Sequence, residues 1–77
     1  MMILYFYDIR AKVKDYNTLK RRFYYHLART QLSKKSWRTK SVLLVEDKME
    51  LEADAFFKKW KPAIICYKAK TDDLVEI

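Results

Sequence analysis

Six apolar or aromatic residues follow one another near the start of the chain, Met2-Ile3-Leu4-Tyr5-Phe6-Tyr7, before an acid and a base appear at Asp8 and Arg10. A run this short and this aromatic reads as a strand rather than a helix, and the lack of a polar break hides both of its faces from water. Such a strand belongs in the interior of a sheet, so the other elements must be arranged around it. The carboxylate at its end has two readings that the sequence leaves open. Asp8 is either an ion-pair partner for Arg10 or Arg38, or a metal ligand.

The 77 residues make one domain, residues 1–77, near the lower limit for a self-sufficient core. A second copy would add buried area that one copy lacks. No stretch approaches the roughly 18 apolar residues of a membrane span. The start lacks the basic opening of a signal peptide, and the lone Cys66 excludes an internal disulfide. The expectation is a cytoplasmic protein that does not enter a membrane. Glycine is absent altogether. That removes the glycine-rich phosphate loop and the dinucleotide fingerprint, and with them the common nucleotide-dependent enzymes.

After the first strand, a basic connection carrying Lys12 and Lys14 leads into a helix with Asp15 or Asn17 as its cap. Its apolar face is Tyr16, Leu19, Phe23 and Leu27, spaced by three or four. Ser41-Val42-Leu43-Leu44-Val45-Glu46 is a second strand, and the basic stretch before it is read as a shorter strand paired to it through a hairpin. Asp47-Lys48-Met49-Glu50 has the form of a capping box. It opens a helix that buries Met49, Ala53, Phe56, Phe57 and Trp60 and stops at Pro62. Residues 63–69 form another strand, with Cys66 as a small core hydrophobe, and Leu74-Val75-Glu76-Ile77 is a candidate short C-terminal strand. The order predicts an α+β protein, a ferredoxin-like βαββαβ sandwich with two helices on one face of an antiparallel sheet. Because the strands are apolar on both faces, the bare face of the sheet should be covered, and a second copy is the simplest cover.

The formal charge of +7 is unevenly placed. Residues 1–40 hold eleven Lys/Arg against two Asp/Glu, whereas residues 41–77 hold six against eight. A basic half fits a polyanionic partner, DNA or RNA, although it also fits a surface that merely keeps a small protein in solution. Three groups of residues carry the first reading. Arg10, Lys12 and Lys14 flank the end of the first strand. Arg21, Tyr25 and Arg29 form a stripe on the outer face of the first helix, suited to phosphate contact and stacking or simply to water. Lys34, Lys35, Arg38 and Lys40 surround Trp37, which either stacks on a base or belongs to the core with the cations around it. His26 and Cys66 do not make a zinc-type ligand set, and no spacing argues for a Ser-His-Asp or Cys-His arrangement.

The first strand ends in Tyr7-Asp8-Ile9, a basic helix follows, and Ser41-Val42 begins a later strand. These features resemble the CRISPR-associated adaptation subunits of the Cas-two type and the related virulence-associated protein D toxins. The chain departs from that pattern in having Leu43-Leu44-Val45 after the Ser-Val pair and no glycine. The resemblance implies a homodimer in which Asp8 of each copy shares one Mg²⁺, and a metal-dependent endonuclease with Asp8 as its catalytic ligand. It also implies a C-terminal strand that crosses to the other subunit. The alternatives are a non-catalytic protein–protein interaction module and a nucleic-acid coat protein of similar fold.

Overall fold

The computed structural model describes residues 1–10, 14–32, 37–75 and 77, with Trp37 and Arg38 described by backbone alone. Strand β1 is Met2–Ile9 and helix α1 is Tyr16–Ala28. Two strands follow, β2 (Trp37–Arg38) and β3 (Val42–Glu46), then a single 3₁₀ turn at Asp47–Met49. Helix α2 (Glu50–Trp60) and strand β4 (Ile64–Thr71) complete the order. The sheet runs β2-β3-β1-β4 with every neighbouring pair antiparallel. This is the expected α+β, ferredoxin-like arrangement. The apolar N-terminal run lies inside the sheet as expected, pairing Met2 with Glu46 and Phe6 with Val42 on one side, and Met2 with Thr71 and Ile9 with Ile64 on the other.

The period of two along β1 sorts its residues. Ile3, Tyr5, Tyr7 and Ile9 are buried on the helix side, together with Leu43, Val45 and Ile64. The helices answer with Phe23 and Leu27 from α1 and Ala53 and Phe57 from α2. Phe23 is the hub, with its ring 5.6 Å from Tyr7, 5.6 Å from Phe56 and 5.5 Å from Trp60. Each fully buried large side chain contributes about 1.5–3 kcal/mol, which is how a chain this short sustains a core. Leu32, just beyond α1, is also fully buried; it fell outside the helical spacing read from the sequence.

The opposite face of the sheet is open. Met2, Leu4 and Phe6 of β1 lie there with Val42 and Leu44 of β3 and with Ile65, Tyr67 and Ala69 of β4. Phe6 is 43% exposed and Tyr67 is 71% exposed. The expected apolar face is therefore present, and no described element of the chain covers it.

Several local expectations need correction. The capping box at residues 47–50 does not form: neither the turn nor α2 has a side-chain cap. Glu50 instead reaches Lys68 on β4 at 2.7 Å, a charge-assisted bond stronger than a cap to a neutral amide. Asp47 pairs with the terminal amino group of Met1. Asp15 precedes α1 in a left-handed conformation (φ 61°) and gives no side-chain cap; in a glycine-free chain Asp is among the residues that tolerate that region. The hairpin between β2 and β3 turns without glycine through Thr39. Its amide donates to the Val42 carbonyl, and its hydroxyl oxygen accepts from the amides of Ser41 and Val42. Leu74 and Val75 form no strand and, like Ile77, are exposed, because a strand needs an edge to pair with and this segment meets none.

Candidate nucleic-acid interface

Charge sorts by the ends of the sheet rather than by halves of the sequence. β1 finishes with Asp8 and Arg10. The chain then reaches Lys14 and starts α1, whose Phe23 packs on Tyr7 near the end of β1. α2 travels the other way and delivers Lys58, Lys59 and Lys61 to the same end, where the Arg10 amide donates to the Ala63 carbonyl at 3.0 Å. The opposite end gathers acids. The Met1 amino group lies 3.5 Å from Asp72 and 4.0 Å from Asp47, and Lys48 sits 3.2 Å from Glu46. The basic end thus owes part of its charge to the half of the sequence with a net negative balance. Lys58, Lys59 and Lys61 were missed because sequence neighbourhood stood in for spatial neighbourhood. The signal was the run Lys58-Lys59-Trp60-Lys61 ahead of Pro62.

Two hollows lie among these cations. The first is a groove of about 430 Å³ between β4 and α2, with Arg10, Lys58 and Lys61 on its rim and Phe57, Ile64 and Cys66 among its apolar lining. Those three cations take part in no ion pair among the described residues. Lys68, further along the groove, is held by Glu50 and Asp54. Burial, with a smaller push from Asp54, raises the Cys66 thiol to about 11, so it stays protonated at neutral pH and is a poor nucleophile. The second hollow lies between α1 and the β2–β3 hairpin and is lined by Lys20, Tyr24, Thr39 and Lys40. Its walls are joined by the Tyr24 hydroxyl, which donates to the Lys40 carbonyl.

The structure brings Arg10 together with Lys58 and Lys61, and Lys40 together with Lys20. The helix stripe lines neither hollow, but the Tyr25 ring lies 5.4 Å from His26, whose ring is 5.6 Å from Trp60 between Lys59 and Lys61. Arg21, Tyr25 and Arg29 are exposed on α1, and Arg29, at the far end of that helix, is turned onto Tyr25. Its Nη1 donates to the Tyr25 hydroxyl at 2.9 Å, and its guanidinium lies 5.4 Å from the ring centre. Lys14 is exposed ahead of α1. Lys12, Lys34 and Lys35 lie outside the described residues, as do the side chains of Trp37 and Arg38. His26 is exposed and packs its ring 5.6 Å from Trp60.

Asp8 is exposed and lies on the open sheet face, in register with Ile65. Its Oδ1 accepts the Ile9 amide at 2.9 Å, and it makes no ion pair with Arg10 or any other base whose side chain is described; the other expected partner, Arg38, has its side chain outside the described residues. No group of three His, Cys, Asp or Glu side chains among the described residues converges on one point. The hard oxygen donor suits Mg²⁺, but one chain supplies only a single carboxylate here. Mg²⁺ keeps most of its waters and takes one or two carboxylates, and a second copy would bring the second.

Compared with known proteins, the chain matches no family model, no curated protein and no solved structure. No helix among the described residues is long and apolar enough to cross a membrane.

Proposed function

We propose that this chain is a small basic nucleic-acid-binding protein acting as a homodimer. One observation carries the reading: cations from three separate segments converge on one end of the sheet, and Arg10, Lys58 and Lys61 rim a single groove, none of them within ion-pair distance of an acid among the described residues. Unpaired cations around a concavity are the usual electrostatic footprint of a phosphate backbone. The dimer is supported by the apolar, uncovered sheet face bearing Leu4, Phe6, Leu44 and Tyr67. Covering it with a second copy removes that surface from water and carries two basic ends in one particle. The exposed Leu74, Val75 and Ile77 then have an edge to meet, the free side of the partner's β4.

The sharper version of this reading is a metal-dependent endonuclease resembling the Cas-two type family. It is supported by the position of Asp8 on the same open face, where two copies would face each other. Two such carboxylates would hold one Mg²⁺, which when bound stabilises charge on a phosphodiester and activates a water. A second reading is a non-catalytic module whose sheet face docks a different protein, favoured by the predominance of apolar side chains there. The test is binding of DNA and RNA oligonucleotides across a salt series. The expected result is affinity that falls steeply and linearly on logarithmic axes; no binding at low salt overturns the reading.

A further inference from the structure

Two exposed rings stand on α1 beside the end of α2. Tyr25 is 57% exposed, and its ring meets that of the exposed His26 at 5.4 Å and 83°. The His26 ring in turn lies 5.6 Å from Trp60, the last residue of α2. Trp60 is half-buried and has the fully buried Phe23 ring 5.5 Å away. The rings therefore form a ledge that is rooted in the core and opens to solvent at Tyr25 and His26. Arg29 fixes the outermost ring. Its Nη1 donates to the Tyr25 hydroxyl at 2.9 Å, while its guanidinium carbon is 5.4 Å from the ring centre. At that distance the cation sits toward the hydroxyl end of the ring instead of capping it, and a face is left for another flat group.

The surroundings of the ledge are cationic. α1 contains no Asp or Glu, and the acids of α2, Glu50, Glu52 and Asp54, all lie in its first half. Lys59 and Lys61 are exposed and flank Trp60 in sequence, and Lys61 also rims the groove described above. Among the described residues of α1, Tyr25 is the one exposed large hydrophobic. A lipid surface would call for aliphatic anchors beside the ring. Flat π faces set among cations are instead the pairing of platform and funnel by which proteins hold unpaired nucleic acid. The ledge belongs to the helix layer, so it stays open when a second copy covers the sheet face and when a strand meets the β4 edge.

We infer that Tyr25 and His26 form a stacking site for one unpaired base of a nucleic-acid strand whose neighbouring phosphates lie on Lys59 and Lys61. A closed duplex keeps its bases stacked on one another and has no inner face to give, so the site takes a single strand. Arg29 is a positioning residue that holds the Tyr25 ring. The inference rests on the nucleic-acid reading above and adds a base-binding site to it.

The experiment uses the full chain and three labelled ligands of about twelve nucleotides at one salt concentration: a mixed-sequence single strand, an abasic strand of the same backbone charge, and a blunt duplex. It reads fluorescence anisotropy and the ring-proton NMR signals of His26, which as the sole histidine gives a single set. The base-bearing strand should bind about tenfold tighter than the abasic one. It should also move the His26 signals upfield, as the ring current of a stacked base does, whereas the abasic strand and the duplex leave them near their free positions. In Tyr25→Ala the affinities for the two strands should converge, with that for the abasic strand unchanged. Salt-sensitive binding with equal affinity for both strands, or with His26 signals unmoved by the base-bearing one, overturns the inference and leaves the broader reading standing. Absence of any binding overturns both. Signals moved by vesicles of anionic lipid and by no oligonucleotide overturn the inference by assigning the ledge to a membrane surface.

Discussion

The Tyr5 hydroxyl on β1 donates to Asp54 Oδ1 on α2 at 2.6 Å. The ring beneath it is 2% exposed and stacks on Phe57 at 5.0 Å, so an interior strand reaches through the core to grip a carboxylate at its rim. The same carboxylate receives Lys68 Nζ from β4 at 2.8 Å, and Lys68 also holds Glu50. Sheet and helix are thereby joined along the acidic side of the molecule. The groove runs on from Tyr5 and Lys68 to Arg10, Lys58 and Lys61, which take part in no ion pair among the described residues.

Tyr5→Phe keeps the ring and removes only the donor. Asp54 retains Lys68, so no carboxylate is left buried and alone. The loss of one hydrogen bond to a charged acceptor should cost about 1–2 kcal/mol. Urea titration should show a lower midpoint with an unchanged slope, because the packed surface stays the same.

The cluster also makes stability depend on pH on both sides of neutrality. Hydrogen bonds from Lys68 and then Lys70 hold Glu50 below its ordinary 4.5. Burial pushes Asp54 up, but its bonds from Lys68 and Tyr5 prevail and hold it below 3.8. Each acid therefore contributes stability above its ordinary value and loses it as pH falls through the lowered folded value. Lys68 is raised above 10.5 by Asp54 and Glu50, so its contribution is complete below that value and lost as pH rises through the raised one. Stability should form a plateau between about pH 5 and pH 10 and decline at both shoulders. In Lys68→Met both shoulders should flatten, measured by urea titration across the pH range.

What the sequence revealed follows the physics of each signal. Period and run length located β1, β3, β4 and both helices, because burial of Ile3, Phe23 or Phe57 leaves a mark every two or every three to four residues. The role of Glu50 was illegible because a carboxylate at the start of a helix suits a cap locally. Its true partners, Lys68 and Lys70, lie some twenty positions away. The groove was illegible for the same reason: Arg10 and Lys61 are far apart in sequence and meet only after α2 has run back along the sheet. Asp8 was legible as a strand-end acid, but its company depends on a surface that one copy leaves open.

Phe6→Glu tests the covering of that surface. Phe6 is 43% exposed in the single copy and contributes little to its core, so the monomer's own fold should survive, with far-ultraviolet circular dichroism unchanged. A charge on the apolar face should oppose a second copy. Light scattering should report a dimer for the parent and a monomer for the variant. An unchanged mass would remove the sheet face as the interface.

Lys58→Ala and Lys61→Ala test the basic end. Each is exposed, and its loss should move stability by no more than about 0.5 kcal/mol. If each contacts one phosphate, each should lower the slope of log affinity against log salt by about 1, uniformly across oligonucleotide sequences. Arg29→Ala, whose guanidinium is turned onto Tyr25 and lines neither hollow, should leave the slope unchanged. Equal effects from all three would mean a diffuse field rather than a located interface.

Asp8→Asn separates binding from chemistry. Asparagine has nearly the same shape and keeps a side-chain oxygen for the Ile9 amide, so β1 and its register with Ile65 should be undisturbed. Removing a negative charge from the basic end should leave oligonucleotide affinity the same or somewhat higher at low salt. The amide is a much weaker ligand for Mg²⁺ than a carboxylate, so any Mg²⁺-dependent cleavage should fall by at least about a hundredfold while light scattering still reports the parent's mass. Cleavage that persists in this variant would locate the chemistry elsewhere. If the parent itself shows no cleavage with Mg²⁺ while binding remains salt-sensitive, the nuclease version fails and the protein is a nucleic-acid binder alone.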